Sequence, residues 1–242
     1  MSSGKRDIDG RLFDHWPEKY DRWFETPIGA LVKKYETELL LDLLRPRPGE
    51  SILDAGCGTG VFTLNILASG PRLTGLDISL PMLRRAGQKM EGYPFGAVAG
   101  DMSFLPFADE CFDKVVSVTA LEFIADGREA VADLFRVTRK GGVVVVTTLN
   151  SLSPWAARRK KAADKGHSLF ERMIFRSPDE IRAIAPVEGL VKTAIHFEKD
   201  DDPKGAPEIE RDGQRRSLDT GAFLAARWEK PITKIEDCKL NI

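Results

Sequence analysis

The chain has 242 residues, of which 42% are hydrophobic and 30% charged, as in an ordinary globular protein. Thirty-six basic residues nearly balance thirty-seven acidic ones, and this balance argues against a protein that coats nucleic acid. The three cysteines, Cys57, Cys111 and Cys238, form no CxxC pair, so neither a zinc site nor a disulfide framework is indicated.

The chain carries no signal for a membrane or for export. No apolar run approaches the ~20 residues that span a bilayer, and the polar N-terminus lacks the apolar segment of a secretory signal. We therefore expect a cytoplasmic protein without a membrane span, a bound metal or a nucleic-acid partner.

Residues 1–45 predict an N-terminal helical cap. A short helix is expected at Pro17–Glu25, and a longer one at Ile28–Leu44, where apolar residues recur at helical spacing. The proline-rich stretch Arg45–Gly49 then forms a linker.

From Ser51 onward, strands alternate with helices, which predicts a parallel sheet with right-handed crossovers in a domain at residues 46–230. The predicted turn Lys140–Gly142 precedes four consecutive valines, and such a run suits a strand covered on both faces. The predicted strands are Ser51–Ala55, Arg72–Asp77, Phe95–Ala99, Phe112–Val118 and Val143–Leu149, and the predicted helices are Val61–Ser69, Pro81–Met90 and Arg128–Thr138.

The segment Asn150–Arg176 breaks this rhythm and is interpreted as an insertion that lies over the carboxyl edge of the sheet, where it could act as a lid. Ser177 and Glu180 predict a capping box at the start of a further helix. Two last strands, Val191–Phe197 and Ala222–Trp228, flank a polar run, 198–216, which predicts a long exposed loop. Residues 231–242 are expected to form a tail.

The turn between the first strand and the next helix carries the main ligand-binding pattern, Asp54-Ala55-Gly56-Cys57-Gly58-Thr59-Gly60. Glycines permit a sharp turn and close approach of a ligand, and free N–H groups at the helix start can bind an anion. A P-loop is discarded because no lysine follows. A dinucleotide fingerprint needs a third glycine where Val61 stands. The acidic Asp54 suits a ligand that carries a cation, and a purely structural turn is the remaining alternative.

Two further aspartates end successive predicted strands. Asp77 ends the second strand, where a carboxylate can accept hydrogen bonds from ribose hydroxyls. Asp101, followed by Met102, ends the third strand, where a carboxylate can accept from an adenine amino group. Since the carboxyl ends of parallel strands share one edge, these residues and Asp54 are expected to line one crevice.

At these residues the sequence resembles the class I S-adenosylmethionine (SAM)-dependent methyltransferases, and among them the type 11 group, which includes quinone-biosynthesis C-methyltransferases. The motifs are ILDAGCGTG, LTGLDISLPML, GDMSFLPFADECFD and LFRVTRKGGVVVVTTLN, within residues 50–149. The resemblance implies an α/β Rossmann-like doubly wound sheet of seven strands, mostly parallel, with the last strand antiparallel. It also implies SAM as cofactor and S-adenosylhomocysteine (SAH) as product.

The resemblance further implies roles for individual residues. Asp54 and the backbone of the turn would hold the methionine moiety, Asp77 the ribose, and Asp101 the adenine amino group. The cofactor-binding residues implied in this way are Asp54, Gly56, Cys57, Gly58, Gly60, Asp77, Ile78, Met82, Asp101, Met102, Thr119 and Leu121. Many relatives carry a histidine pair after the fourth strand; here the run is Thr119-Ala120-Leu121-Glu122-Phe123, so histidine-dependent chemistry is in doubt.

Methyl transfer is an in-line displacement in which positioning supplies much of the catalysis, so no strong base motif is required. The candidate catalytic residues are Tyr20, on an aromatic helix face that can cover the site, His15 in the same cap, and Glu122. The basic run 158–161 is interpreted as a solvated face.

The sequence predicts a methyltransferase for a small, apolar or aromatic acceptor. A protein or RNA methyltransferase and a non-catalytic SAM-binding regulator stay open as alternatives. An NAD-dependent oxidoreductase is disfavoured by Val61 and Asp54. The oligomeric state is not predicted.

Overall fold

The computed structural model describes residues 11–232, and it contains one sheet of seven strands in the order β3-β2-β1-β4-β5-β7-β6. The predicted tail at 231–242 and Cys238 therefore lie almost wholly outside the described residues. The strands are β1 Ser51–Ala55, β2 Arg72–Asp77, β3 Phe95–Ala99, β4 Phe112–Val118, β5 Thr138–Leu149, β6 Leu190–Ala194 and β7 Phe223–Glu229.

Strands β1 to β5 pair in parallel, whereas β7 runs antiparallel to both β5 and β6. The predicted α/β fold with an antiparallel last strand is thus confirmed. In β5, Val143 and Val145 pack into the core on one face of the sheet, while Val144 and Val146 pack into the core on the other. The uninterrupted valine run follows from this burial on both faces.

Helices cover both faces. The long helix α3 buries Val32, Leu40 and Leu43 on one side, and α6 buries Val131 and Leu134 on the other. The helices are α1 Arg11–Asp14, α2 Pro17–Trp23, α3 Pro27–Leu44, α4 Thr63–Leu67, α5 Leu80–Lys89, α6 Gly127–Val137, α7 Pro154–Ala163, α8 Ser168–Glu171, α9 Pro178–Ile184 and α10 Ala206–Arg215. Helix α3 packs into the core of the sheet domain. Among the described residues, the predicted N-terminal cap is therefore reduced to α1 and α2.

Local polar residues fix several helix starts. The Ser177 hydroxyl accepts from the Glu180 amide at 3.3 Å, and the Glu180 carboxylate accepts from the Ser177 amide at 2.6 Å. The predicted capping box is therefore present. In residues 11–232, no helix is long and apolar enough to cross a membrane.

Three predicted segments differ most from the structure. The expected loop 198–216 contains helix α10, which is held by the fully buried Glu210; its carboxylate accepts from the His196 amide at 2.6 Å. Strand β5 begins at Thr138, and the glycines expected in a turn form an irregularity in its pairing with β4. Strand β6 stops at Ala194 because Ile195 has a positive φ of 66°, which interrupts extended backbone.

Candidate active site

The carboxyl ends of β1, β2 and β4, together with the segment that follows β3, open into one cavity of about 640 Å³. Most of the residues singled out from the sequence line this cavity, so the topology brings them together as expected. Those on its wall are Tyr20, Asp54, Gly56, Cys57, Gly58, Asp77, Ile78, Met82, Asp101, Met102, Thr119 and Glu122.

Three predicted site residues do not line the cavity. His15 is exposed outside it, and Leu121 is fully buried in the core beneath it. Gly60 lies behind the turn, where a Cβ would approach the Met90 Cε to 2.5 Å. Gly60 therefore contributes close packing, and the structure gives His15 and Leu121 no contact with the cavity.

The glycine turn is anchored to the neighbouring strand β2. The amides of Gly56 and Cys57 donate to the Leu76 carbonyl at 2.7 and 3.0 Å, and the Gly58 amide donates to Asp77 Oδ2 at 2.8 Å. These N–H groups were expected to be free for an anion, but the fold already uses them. The turn therefore contributes to binding by leaving space beside its backbone, where a ligand can approach closely.

Asp54 is the most unusual group at this edge. Its side chain is 2% exposed, and Oδ2 accepts from the Thr63 hydroxyl at 2.6 Å. Oδ1 has no partner among the described residues. Burial, with the nearby charge of Asp77, raises the pKa of Asp54 to about 7. A buried carboxylate oxygen without a partner is costly unless a ligand supplies a donor.

The two other aspartates are held by backbone amides. Asp77 accepts from Gly58 and from the Ser79 amide at 2.9 Å, yet burial still raises the pKa of its carboxyl. Asp101 accepts from the Ser103 amide at 2.8 Å. These bonds fix the carboxylates at the cavity wall and leave acceptor capacity on each of them.

Thr119 occupies a strained position after β4. Its φ of 47° lies in the left-handed region, which costs a non-glycine residue about 1–2 kcal/mol. Its amide donates to the Thr147 carbonyl at 3.2 Å, which helps to hold this conformation. The strain turns the chain sharply, so that Ala120 lies against Gly56; a Cβ on Gly56 would meet the Ala120 Cβ at 2.5 Å.

Helices α1 and α2 cover the cavity with aromatic side chains. Phe13 packs edge-on against Phe123 with ring centroids 4.9 Å apart, and Phe24 packs against Phe62 at 5.7 Å. Tyr20 also lies on this wall, and burial, with the charge of Glu36, raises the pKa of its hydroxyl above the usual value.

A polar cluster, the cap latch, joins α2 to the sheet domain. Asp21 accepts from Lys89 at 2.6 Å, from the Thr59 hydroxyl at 2.7 Å and from Arg85 at 3.0 Å. Its side chain is only 11% exposed, so these bonds are partly shielded from water. The cap latch therefore fastens the aromatic cover to the glycine turn and to α5.

The insertion supplies the opposite wall. On α7, Trp155, Arg159 and Ala162 line the cavity, and they recur at the spacing of one helix face. The Trp155 indole donates to the Phe197 carbonyl at 2.7 Å, and the Arg159 guanidinium lies 5.3 Å from the Trp155 ring. The run 158–161 is thus only partly a solvated face.

Several charged residues of the cavity were missed by sequence reasoning, among them Glu36 and Arg159. Glu36 follows Val32 and precedes Leu40 at four-residue spacing on the buried face of α3, and it is 6% exposed. The sequence signal that could have identified Glu36 is an acidic residue on an otherwise apolar helix face. Arg159 was hidden within a basic run whose inward position depends on where α7 packs.

Comparison with known proteins places this site in a family. A family model described as a methyltransferase domain matches residues 53–146. The chain is 30% identical over 204 residues to a malonyl-[acyl-carrier protein] O-methyltransferase of Pseudescherichia vulneris, covering 75% of this chain and 80% of that protein. It is 36% identical over 156 residues to a demethylmenaquinone methyltransferase of Beutenbergia cavernae, covering 64% of this chain and 63% of that relative.

The fold agrees with these matches. A crystal structure of a SAM-dependent methyltransferase from Thermotoga maritima superposes with a TM-score of 0.68 at 22% identity, covering 91% of this chain and 99% of that one. The family match, the relatives and the glycine-turn cavity agree on one cofactor. The chain belongs to the SAM-dependent methyltransferases of the type 11 methyltransferase-domain family.

Proposed function

We propose that this enzyme methylates a small, largely apolar acceptor that binds between the cap and the insertion, with residues 150–176 acting as a lid. The observation that carries the proposal is the aromatic lining of the cavity away from the glycine turn. Such a wall binds apolar or aromatic groups by burying their surface and excludes water from the reacting atoms. It is formed by Phe13, Trp16, Tyr20, Trp23, Phe24, Trp155 and Phe170.

The residues at the strand ends fit SAM. The unpartnered Asp54 Oδ1 would accept from the α-ammonium group, because it is a buried acceptor that lacks a donor. Asp77 would accept from the ribose hydroxyls with its remaining lone pairs, and Asp101 from the adenine amino group. Ile78 and Met82 would pack near the adenine, since both follow Asp77 closely in the chain and line the cavity.

When bound, SAM supplies an electrophilic methyl group on a positively charged sulfur. The protein's part is to hold the acceptor in line with that methyl group, and positioning of this kind contributes roughly 7–11 kcal/mol. Tyr20 and Thr119 would help to confine the acceptor, because both side chains line the cavity.

The positions of the basic residues favour a small molecule over RNA. Arg158 forms an ion pair with Asp200, and Arg159 faces the cavity, so half of the basic run is not available to a polyanion. The names of the relatives give two kinds of acceptor, a malonyl group borne by an acyl-carrier protein and demethylmenaquinone.

A label-transfer experiment tests this proposal. The purified enzyme is incubated with methyl-labelled SAM and a heat-treated cell extract, which is then divided into organic-soluble, protein and RNA fractions. We expect label in the organic-soluble fraction, and none there with the Asp54→Ala variant. Label confined to protein or RNA would contradict the proposal, and SAM binding without label in any fraction would favour a regulatory protein.

A further inference from the structure

The aromatic end of the cavity contains a cluster of charged side chains that the cofactor half does not use. Glu36 from α3, Glu122 from the turn after β4 and Arg159 from α7 all line the cavity. The two glutamates are 6% and 2% exposed. Charged groups buried in an otherwise apolar pocket are costly, and they are typical of sites that handle protons or bind a charged group.

The two glutamates differ in their surroundings. Glu122 Oε2 accepts from the Thr148 hydroxyl at 3.2 Å, and the charge of Arg176 also favours its ionised form. Glu36 has neither a hydrogen bond nor an ion pair within 4.0 Å among residues 11–232, although the charge of Arg159 acts on it from across the cavity. Glu36 is therefore the carboxylate that is free to contact an acceptor.

Glu36 lines the same cavity as the expected site of transfer. Tyr20 and Thr119 also lie on its wall, and the charge of Glu36 contributes to the raised pKa of the Tyr20 hydroxyl. Thr119 follows β4 and precedes Ala120, which packs against Gly56 of the glycine turn. Glu36 therefore borders the cavity into which β1 and β4 end.

We propose that Glu36 is the base that removes the proton from the acceptor atom that becomes methylated. This inference rests on the function proposed above. As the bond between the acceptor oxygen or nitrogen and its hydrogen breaks, the proton passes to the Glu36 carboxylate. The electron pair of that atom forms the bond to the methyl carbon, and the electrons of the broken carbon–sulfur bond remain on sulfur.

The cluster also defines the class of acceptor. A hydroxyl or an amine carries the proton that Glu36 would accept. A carboxylate acceptor carries none, and it would add a negative charge to a cavity that already holds Glu36 and Glu122. The acceptor is accordingly a phenol, an enol or an amine on an apolar body.

The protonation of Glu36 supports this role. Burial, with the charge of Glu122, raises the pKa of Glu36 to about 8, while Arg159 lowers it. The charge of Glu36 also raises the pKa of the Tyr20 hydroxyl on α2. A sulfonium bound nearby would lower the pKa further, because an adjacent cation favours the ionised form. Binding of SAM would thereby prepare the base near neutral pH.

The test compares proton release on binding of SAM and of SAH, measured calorimetrically at about pH 7.5 in buffers of different ionisation enthalpy. Both ligands carry the same α-ammonium and adenine groups, so any effect on Asp54 cancels in the difference. If the pKa of Glu36 falls by one from about 8, SAM should release about half a proton more than SAH.

Three variants assign the released proton. Glu36→Gln should abolish the difference between SAM and SAH while SAM still binds, whereas Glu38→Gln, exposed on the same helix, should retain it. If Glu36→Gln retains the difference, or if Glu122→Gln alone removes it, the inference is overturned. Equal proton release with SAM and SAH in the native enzyme also overturns it, whereas a failure to bind SAM would reject the proposed function itself.

Discussion

Replacing Asp54 by Asn should stabilise the ligand-free protein and weaken its response to SAM. The pKa of Asp54 is about 7 in the folded chain against 3.8 ordinarily, so the folded state binds this proton more tightly than the unfolded state. Stability is therefore lost as the pH rises from 3.8 through about 7. A pKa difference of about three corresponds to about 4 kcal/mol, which is the upper limit of the gain at pH 8.

The Asp54→Asn change preserves an acceptor for the Thr63 hydroxyl and removes the buried charge. Each kcal/mol shifts the melting temperature of a chain of this size by about 2–4 °C, so thermal unfolding at pH 8 should move upward by several degrees. At pH 5 the gain should shrink, because Asp54 is then protonated in the native protein. SAM at about 100 times its dissociation constant should stabilise the native protein by about 2.7 kcal/mol, and the Asp54→Asn variant by much less at the same concentration.

Unfolding curves at pH 5 and pH 8, with and without SAM, test both parts of this prediction. For the pH dependence of stability without SAM, Asp101→Asn is the matched control, because Asp101 lies at the same edge of the sheet but is partly exposed and keeps its bond to the Ser103 amide. A gain that is equal at the two pH values, or no gain at all, would refute the argument from burial. Undiminished stabilisation by SAM would refute the assignment of Asp54 to the α-ammonium.

Two further changes test the turn and the cap. Gly56→Ala should lower the free energy of unfolding, measured with denaturant, by about 2–4 kcal/mol, since φ is 80° and the new methyl would meet the Ala120 Cβ at 2.5 Å. Gly58→Ala, with open space around the new methyl, should lower it by about 1 kcal/mol. Equal costs would contradict this packing. Asp21→Asn should break the cap latch, so that SAH dissociates several-fold faster and a protease cleaves residues 11–25 sooner. Glu18→Gln is the control, because Glu18 is exposed on the same helix. Unchanged rates in Asp21→Asn would show that the cap does not open.

The sequence allowed much of the fold and of the cofactor side of the cavity to be predicted. Asp54, Asp77 and Asp101 could be placed together because each follows or ends a recognisable strand, and the parallel topology then fixes which edge they share. The same local reasoning failed for α10. Its charged sequence predicts a loop, and the helix depends on the buried contact between Glu210 and His196, which no local pattern shows.

The sequence by itself determined where most strands and the glycine turn lie, because these depend on local backbone preferences and on periodic burial, and the resemblance of its motifs to a known family implied the cofactor. Only the tertiary structure decided that Glu36 and Arg159 face one cavity, since they lie on helices far apart in the chain whose inward faces are set by packing. It also decided that the Gly56 amide donates its hydrogen bond to the Leu76 carbonyl, while Asp54 Oδ1 has no donor among the described residues. Hydrogen-bond partners and charge environments arise between elements, and for this reason the acceptor half of the site could be described only from the folded chain.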